Sequence, residues 1–257
     1  MAKERVSSIL RALDILECFM DSQTEWTLKS LVAELQLPTT TVHRQLATLL
    51  ERGYLTQDSI RKSYRVGPRL LLLSSTILSH SDIRSTARPE LEKLSAKVKE
   101  TINLSVMLDN EVFYLDKVET FRSVVCNTKI GSRVPLHASS GGKIILSHKS
   151  ENFVDAYCRS IVEWPKLTEK TLTSEEGLRA ELAEARRYGY AIDDGEVEPD
   201  LVCVGAPIIG MDRAVVAAIS IAGPEYRMRE ELNFMTQEVK KTAAAISSLL
   251  GGKCALI

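Results

Sequence analysis

The chain has 257 residues, 44% of them hydrophobic, and its 33 basic residues nearly balance its 34 acidic ones. This length fits one large domain or two smaller ones, and the composition excludes an intrinsically disordered chain. No stretch approaches the roughly 20 apolar residues that a membrane-spanning helix needs. The five cysteines are scattered singly, without a CxxC or Cys/His pair, and no hydrophobic segment follows the charged N-terminus. These patterns predict a cytoplasmic protein without a metal site, a disulfide framework, a cofactor or a membrane partner.

One short region carries an excess of positive charge. Residues 39–69 contain six basic residues against two acidic ones, although the whole chain has a net charge of −1. A local basic patch on a nearly neutral chain indicates that a small module binds nucleic acid. A solvated face without a ligand is the alternative, since most charge clusters are only that. Charge alone leaves the two interpretations open.

The first 68 residues predict three helices and a hairpin. Apolar residues recur at helical spacing over 6–19, 27–37 and 38–51, with Pro38 in the first turn of the third helix. Gly53 is placed to end that helix in the left-handed conformation. Residues 54–66 then predict two short strands joined by a basic loop. This order predicts a winged helix-turn-helix, a module whose last helix enters the major groove of DNA.

The polar first turns of the third helix and the basic loop, or wing, predict contacts with DNA. Hydroxyl and guanidinium groups on the helix can reach base edges or phosphates, and basic side chains on the wing suit phosphates or the minor groove. The predicted DNA-binding residues are Thr39, Thr40, Thr41, His43 and Arg44 on the helix and Arg61, Lys62 and Arg65 on the wing. A helical subdomain with a polar surface and no nucleic acid is the alternative. The DNA interpretation is favoured because its elements occur in the right order.

Two helices are predicted to follow the wing. The first, over 69–81, is apolar on nearly all sides, so it should be buried, either between two chains or within one. The second runs over 82–100, with a break expected near Pro89. These segments predict a DNA-binding domain at 1–68, a linker helix at 69–81 and a second domain at 82–257.

From residue 101 onward the hydrophobic period changes to two, and a hairpin turn is predicted at Asn110-Glu111. The predicted strands are 101–109, 112–118, 123–129, 190–193, 201–209 and 215–222, and the predicted helices are within 137–147 and at 152–159, 174–188 and 229–250. About six strands with hairpin connections and flanking helices predict an α+β domain rather than a doubly wound sheet.

Two motifs in the second domain are candidates for ligand binding. Ser139-Ser140-Gly141 opens a helix, where small residues let a ligand approach the backbone and free N–H groups favour an anion. Close packing of this helix on the sheet explains the same residues equally well. Residues 193–200 hold five carboxylates and lead into Cys203. They indicate a solvated loop, a weak metal site, or one inward carboxylate, such as Asp193, that accepts hydroxyl groups of a ligand.

The enzymatic alternative is a catalytic pair of His137 with either Cys203 or Ser139 as nucleophile. Nothing in the sequence orients His137, and no nucleophile-elbow motif is present. We therefore predict no catalytic residue and no enzymatic activity.

Six stretches resemble the IclR-type transcriptional regulators, over roughly residues 6–250. They are 6–19, 37–55, 64–70, 135–146, 189–207 and 217–224. The stretch 189–207 is the most specific, because Gly189, Asp193, Glu196 and Cys203 stand at the spacing of the family. Ile209 and Gly210 depart from the aromatic residue and aspartate usual after it.

The resemblance implies a winged helix-turn-helix, a linker helix and a C-terminal effector-binding domain of GAF-like fold, with a mixed or antiparallel sheet. It implies homodimers, or homotetramers built as dimers of dimers, that bind palindromic operators in double-stranded DNA, most often as repressors. Family effectors are commonly small carboxylates, and residues 99–104 resemble regulators of keto-deoxygluconate breakdown. The resemblance places the effector pocket at Cys126, Val134, Ser139, Ser140, Gly141, Asp193, Leu201, Cys203 and Ser220. Ala222 stands where the family often has a second serine.

Two functions follow from the sequence. The first is a ligand-responsive DNA-binding transcriptional regulator. The alternative is a small-metabolite-binding or catalytic α+β domain that carries an accessory interaction module. DNA binding that weakens steeply with salt separates them, because phosphate contacts release counterions.

Overall fold

The computed structural model describes residues 6–20, 24–73, 82–119 and 128–252. The chain divides after His80 into two units, which are treated separately below. Most of the strand predicted over 123–129, the predicted pocket residue Cys126 and residues 74–81 of the predicted linker helix lie outside the described residues. None of the helices in the described ranges has the length and hydrophobicity needed to cross a lipid bilayer.

Unit 1 contains the three helices and the hairpin that the sequence predicts. Its elements are α1 (Ser7–Glu17), α2 (Leu28–Leu35), α3 (Thr39–Glu51), β1 (Leu55–Gln57) and β2 (Tyr64–Val66). One hydrophobic cluster joins them, formed by Ile15, Phe19, Trp26, Leu31, Val42, Leu46, Leu49, Leu55 and Tyr64. Each helix contributes the inner side of its amphipathic pattern to this cluster, which leaves the polar sides facing outward.

Local signals in the sequence set the ends of these helices. Thr27 caps α2, because its Oγ1 accepts a hydrogen bond from the Ser30 amide at 3.2 Å while the Ser30 hydroxyl accepts one from the Thr27 amide at 2.9 Å. Pro38 is the N-cap of α3 rather than its first helical residue. Gly53 follows α3 with a φ of 72°, the left-handed conformation that the sequence predicts there.

The wing includes a strand contact that the sequence analysis missed. Strands β1 and β2 pair in antiparallel fashion, with Leu55 opposite Val66. Trp26 forms an additional bridge to Tyr64, with backbone hydrogen bonds of 3.1 and 2.6 Å in the two directions. The wing is therefore attached to the segment that precedes α2.

Helix α4 begins at residue 68 and is described as far as residue 73. Its leucines Leu71, Leu72 and Leu73 are 70%, 61% and 49% exposed. Burial of these three leucines within the same chain is thus not observed, and their burial between two chains stays a prediction.

Unit 2 contains one six-stranded sheet with helices on its two faces. Its elements are α5 (Asp82–Val98), β3 (Thr101–Leu108), β4 (Glu111–Val118), β5 (Arg133–Pro135), α6 (Ser140–Ser147), α7 (Glu151–Ser160), α8 (Glu175–Tyr188), β6 (Ala191–Asp194), β7 (Leu201–Ile209), β8 (Val215–Pro224), α9 (Glu225–Glu230) and α10 (Leu232–Leu249). The strand order is β5-β4-β3-β8-β7-β6, and every neighbouring pair is antiparallel. This is an α+β fold with a curled antiparallel sheet.

The two faces of the sheet are covered by different helices. Helices α5 and α10 pack together and against strands β3 and β7, while α6 packs against β7 and β8 from the other side. The face beneath α6 is identified by Gly205, because a Cβ atom there would lie 3.1 Å from the carbonyl carbon of Ser140. We call this side the α6 face of the sheet.

Four local features of unit 2 differ from the prediction. Helix α5 continues through Pro89 without the expected break, and its buried Ala87 and Leu91 on either side of the proline hold it in the core. The first hairpin turns at Asp109-Asn110, one residue earlier than predicted, and both residues have positive φ values, as this tight turn requires. Strand β5 was not predicted. The closing helix is divided at Glu231 into α9 and α10.

Candidate functional site

Helix α3 exposes the polar residues that the sequence singles out. Thr39, Thr40, His43 and Arg44 are exposed and Thr41 is partly exposed. The opposite side of the helix is buried in the core of unit 1, so these side chains share one outward surface. Within the described ranges, the Arg44 side chain has neither a hydrogen-bond nor an ion-pair partner. Its guanidinium group can therefore bind an anion or a base edge without first breaking a contact.

The tip of the wing is a tight turn held by Asp58. Its Oδ1 accepts hydrogen bonds from the amides of Ile60 and Arg61, both at 2.8 Å, and these bonds lower the pKa of the Asp58 carboxyl. Lys62 adopts a positive φ of 56° at the end of the turn. The side chains of Arg61 and Lys62 are exposed there. The turn thus presents two cations next to each other.

Arg65 lies in a different setting from the other two wing cations. It forms an ion pair with Glu25, which also accepts a hydrogen bond from the Ser63 hydroxyl at 3.0 Å. The hydrogen bond from Arg65, followed by that from Ser63, lowers the pKa of the Glu25 carboxyl. Half of the Arg65 side chain remains exposed, but a carboxylate already compensates its charge.

In unit 2, Ser139 caps α6, which is buried along its whole length. The Ser139 Oγ accepts a hydrogen bond from the Gly142 amide at 3.1 Å. A Cβ atom on Gly142 would lie 2.2 Å from the Leu136 carbonyl oxygen, and one on Gly141 would lie 2.7 Å from the Ser105 Oγ. Close packing on the Leu136 backbone therefore requires Gly142, whereas a side chain at Gly141 would displace the Ser105 hydroxyl. The amides of Ser140 and Gly141 precede the first hydrogen bond within the helix and can still bind an anion.

Strand register places four predicted effector residues on the α6 face. Asp193 is paired with Cys203, and Gly205, which contacts α6, is paired with Ser220. Residues directly opposite each other, or two apart along a strand, share a face of the sheet. Leu201 is two residues from Cys203 on β7, so it also lies on the α6 face. The structure thus brings Asp193, Cys203 and Ser220 together near Gly205, beneath the N-terminus of α6. Leu201 is on the same face but four residues from Gly205, and it packs with Cys203 and Ala222.

Val134 lies apart from this group. It is paired with Val112 on β4, which in turn is paired with Met107 on β3. Met107 is four residues from Asn103, the β3 residue opposite Ser220, which corresponds to about 13 Å along a strand. Val134 packs with a separate hydrophobic cluster beneath α7.

Asp193 is buried and holds the loop that follows β6. Its Oδ1 accepts hydrogen bonds from the amides of Glu196 and Val197, at 2.7 and 3.3 Å. Burial raises the pKa of the Asp193 carboxyl to about 7, although these hydrogen bonds and the Lys143 ammonium oppose the shift. The carboxyl therefore changes charge near neutral pH, and one of its two oxygens is already used by the protein.

A buried ion pair links this loop to α6. Lys143 is only 1% exposed, and its Nζ lies 2.6 Å from Glu196 Oε1 and 3.4 Å from Glu181 Oε2. Burial raises the pKa of Glu196, while Lys143 opposes the shift. Of the alternatives for this loop, the inward carboxylate at Asp193 is the one observed. The solvated loop is wrong for Glu196 too, because its carboxyl also points inward, to the Lys143 ammonium. This ion pair is not predicted from the sequence, where its only signal is a lone lysine within a buried helix.

His137 has no nucleophile beside it. Its Nδ1 is bonded to the Tyr157 hydroxyl and its Nε2 to the Pro165 carbonyl, both at 3.1 Å. Burial lowers the pKa of the imidazole, so the ring is neutral. Both ring nitrogens have structural partners, and the pairs with Ser139 or Cys203 are not formed. The described ranges also contain no group of three His, Cys, Asp or Glu side chains arranged to hold a metal ion.

Two further polar residues on the α6 face were missed in the sequence analysis. Thr101 is paired with Ala222, and Asn103 is paired with Ser220. Both side chains are buried. The sequence shows them only as ordinary polar positions at the start of a strand, because their neighbours come from residues more than a hundred positions away.

Comparison with known proteins defines the class of both units. Residues 8–59 match the family model described as the IclR helix-turn-helix domain, and residues 75–248 match that described as the bacterial transcriptional regulator IclR C-terminal. The chain thus combines a DNA-binding domain with the C-terminal domain of a transcriptional regulator. It belongs to the IclR family, whose members are regulators and not enzymes.

Full-length relatives and solved structures agree with this assignment. The chain is 33% identical to the HTH-type transcriptional regulator KipR of Bacillus subtilis, covering 95% of this chain and 97% of KipR. It is 29% identical to the HTH-type transcriptional regulator KdgR of Escherichia coli, covering 96% and 94%. An IclR homologue from Microbacterium hydrocarbonoxydans, solved in complex with 4-hydroxybenzoate, is 28% identical and superposes with a TM-score of 0.83, covering 95% and 99%.

Proposed function

We propose that this protein is a repressor that binds a palindromic operator in double-stranded DNA and responds to a small carboxylate effector. The observation that carries this proposal is the outward surface of α3, where Arg44 lies among exposed threonines and has no side-chain partner among the described residues. Such a surface suits direct contact with base edges in the major groove. The domain assignment to 1–68, 69–81 and 82–257 is part of the proposal.

The proposed DNA-binding residues contribute unequally to DNA binding. Thr39, Thr40, Thr41, His43 and Arg44 enter the major groove, and Arg61 and Lys62 contact phosphates or the minor groove. Arg65 contributes less, because Glu25 already compensates its charge. Its main role is to fix the wing to the segment before α2.

The protein acts as a homo-oligomer, a dimer or a dimer of dimers. The exposed leucines at 71–73 support this arrangement, since a row of apolar side chains at the start of α4 is a surface for a second copy. A symmetric dimer presents two copies of α3 to half-sites about 34 Å apart, one helical turn of DNA, or a multiple of that. A palindromic operator follows from this symmetry.

The effector is a small carboxylate bound between the N-terminus of α6 and the sheet. Its anionic end interacts with the amides of Ser140 and Gly141, and its body lies over Cys203 and Ser220 on the α6 face. The complex of a homologue with 4-hydroxybenzoate supports this class of ligand. A sugar acid such as keto-deoxygluconate is the more specific candidate. Cys126 and Val134 remain candidate lining residues.

A gel-shift titration on the DNA upstream of the protein's own gene tests the proposal. We expect a sequence-specific shift that weakens steeply between 50 and 200 mM salt and that one acid from a panel of small carboxylates changes. A specific shift that no acid changes would retain the DNA function and remove the carboxylate. Binding no stronger than to random DNA would favour a metabolite-binding domain with an accessory interaction module.

A further inference from the structure

Thr101 and Asn103 carry buried oxygens that the fold leaves unpaired. Thr101 is fully buried and Asn103 is 2% exposed. Within the part of the chain that the structure describes, neither Thr101 Oγ1 nor Asn103 Oδ1 has a hydrogen-bond partner. An unpaired buried polar atom destabilises a fold, so such atoms are rare and call for an explanation.

Both residues stand in the same rows of the sheet as the proposed effector residues. One row across the α6 face runs from Asp193 through Cys203 and Ala222 to Thr101. The neighbouring row runs from Gly205 through Ser220 to Asn103. Ala222 has no hydroxyl group. The hydroxyl of its neighbour Thr101 is therefore the polar group at this end of the row that begins at Asp193. The unpaired oxygens are therefore part of the surface over which the effector lies.

We propose that Thr101 and Asn103 determine the specificity of the effector site, and that the effector is a hydroxylated carboxylate whose hydroxyl group donates to Asn103 Oδ1. This inference rests on the effector site proposed above. An amide oxygen only accepts hydrogen bonds, so the ligand has to supply a donor there. An ionised carboxylate has no donor, whereas a hydroxyl group has one. The Thr101 hydroxyl bonds to the same part of the ligand.

The geometry of the sheet sets the distance between the two ends of the ligand. Ser140 packs on Gly205, and Asn103 lies two strands from Gly205 across the sheet. Neighbouring strands are about 4.8 Å apart, so the backbone positions of Gly205 and Asn103 lie about 10 Å apart. The hydroxyl group is therefore several bonds away from the carboxylate.

Calorimetric titration of the full chain with two matched pairs of acids tests this inference. The pairs are 4-hydroxybenzoate with benzoate and gluconate with hexanoate, which differ within each pair in their hydroxyl groups. We expect the hydroxylated acid of at least one pair to bind at least tenfold more tightly than its partner. Asn103→Leu should reduce that preference to threefold or less while binding of the plain acid persists, and Thr101→Val should reduce it partly. Thr242→Val, on α10, is the matched control and should change nothing.

Thermal unfolding without ligand distinguishes this role from a structural one. Thr101→Val and Asn103→Leu each remove an unpaired buried oxygen and keep the number of heavy atoms, so we expect their melting temperatures to equal or exceed that of the wild type. If Thr101 and Asn103 had only a structural role, their variants would instead have a lower melting temperature and keep the preference for the hydroxylated acid. If Asn103→Leu does not fold, Asn103→Ala gives the same comparison of acids.

The remaining outcomes separate the inference from the proposed function. Equal binding within both pairs, or a preference that survives in Asn103→Leu, would overturn the role of these residues and leave the carboxylate site in place. If no carboxylate bound at all, the effector site and this inference would both be wrong, whereas the DNA-binding function would still be measured by gel shift.

Discussion

Helices α3 and α6 both begin with polar residues, yet they present them in opposite ways. The first turns of α3 lie on the surface of unit 1, while every residue of α6 is buried in unit 2. An exposed polar helix end is open to a large rigid partner such as a DNA duplex. A buried one admits only a small molecule that the fold encloses. The degree of burial therefore indicates the size of the partner before its chemistry is considered.

The largest expected effect concerns the buried cation of α6. Replacing Lys143 by Met leaves the Glu196 carboxylate without compensation, and breaking a buried ion pair in this way costs about 3–5 kcal/mol. We expect unit 2 to lose about this much free energy of unfolding in urea. Trp164 reports on unit 2 alone in a Trp26→Phe background, because the chain has two tryptophans.

Two variants control this comparison. Lys143→Met combined with Glu196→Gln should recover part of the loss, since no buried charge is then left unpaired. Lys241→Met removes an exposed lysine of α10 and should leave the stability unchanged. A loss in the single variant below about 1 kcal/mol, the usual value of an exposed ion pair, would show that water reaches the pair and that α6 is less enclosed than described.

The second prediction uses the pH dependence of the same region. The pKa of Asp193 rises on folding from 3.8 to about 7, so the folded state binds more protons than the unfolded state between these values. The stability of unit 2 should therefore fall as the pH rises from 4 to 7, by on the order of a few kcal/mol from this group. Asp193→Asn keeps the acceptor for the two amides and should flatten this part of the profile. An unchanged slope in the variant would assign the dependence to another group.

On α3 the expected change is one of binding and not of stability. Arg44→Ala should weaken operator binding by about 1–3 kcal/mol if the guanidinium group contacts a base. The melting temperature should stay the same, because Arg44 is exposed and contacts no partner in the described part of the chain. Gel shifts with the operator and with a randomised sequence measure the affinity, and thermal unfolding measures the melting temperature. Arg52→Ala, beyond the last turn of α3, is the matched control. Wild-type affinity in Arg44→Ala would remove this residue from the interface.

A smaller difference in stability is expected between the N-cap residues of α2 and α6. Thr27 caps α2 at the surface, and Ser139 caps α6 in the interior. Loss of an N-cap costs about 0.5–2 kcal/mol, and we expect Ser139→Ala to fall in the upper half of this range and Thr27→Ala in the lower half. Urea unfolding of each unit measures the two values. Equal losses would mean that burial adds nothing to the cap of α6.

The smallest expected effect concerns the wing. Arg61→Ala and Lys62→Ala should each reduce the slope of log K against log salt by about one, as loss of one phosphate contact does. Arg65→Ala should change the slope by less, because its guanidinium group is paired with Glu25. Affinity titrations over a series of salt concentrations give these slopes. A full unit of change in Arg65→Ala would show that the ion pair opens when DNA binds.

The contrast between α3 and α6 also explains which site residues could be predicted from the sequence. The outer face of α3 follows from helical periodicity within 13 residues, so Thr39 and Arg44 were predictable from local pattern alone. The group beneath α6 depends on the register of strands β3, β6, β7 and β8. Asp193 and Cys203 were placed there through the resemblance to the family, whereas Thr101 and Asn103, which no motif marks, were not found.

Other contacts were not predicted for the same reason, because the residues that form them are distant in the chain. The local sequence gives no sign that Glu196 turns inward to meet Lys143, since the two residues are 53 positions apart. The ion pair between Arg65 and Glu25 likewise joins two elements that are distant in the chain. Where a prediction failed locally, as at Pro89, packing of the helix on the sheet outweighed the intrinsic tendency of proline to break it.

The close contact between α6 and the sheet has a mechanical consequence. At Gly205 a Cβ atom would lie 3.1 to 3.2 Å from Ser140, so backbone of the first turn of α6 lies directly on backbone of the sheet. Side chains can absorb a small displacement by changing rotamer, but backbone in direct contact cannot. Any molecule that wedges under the first turn of α6 therefore moves the helix as a stiff rod. The displacement reaches Lys143 one turn later and strains the loop that carries Glu196.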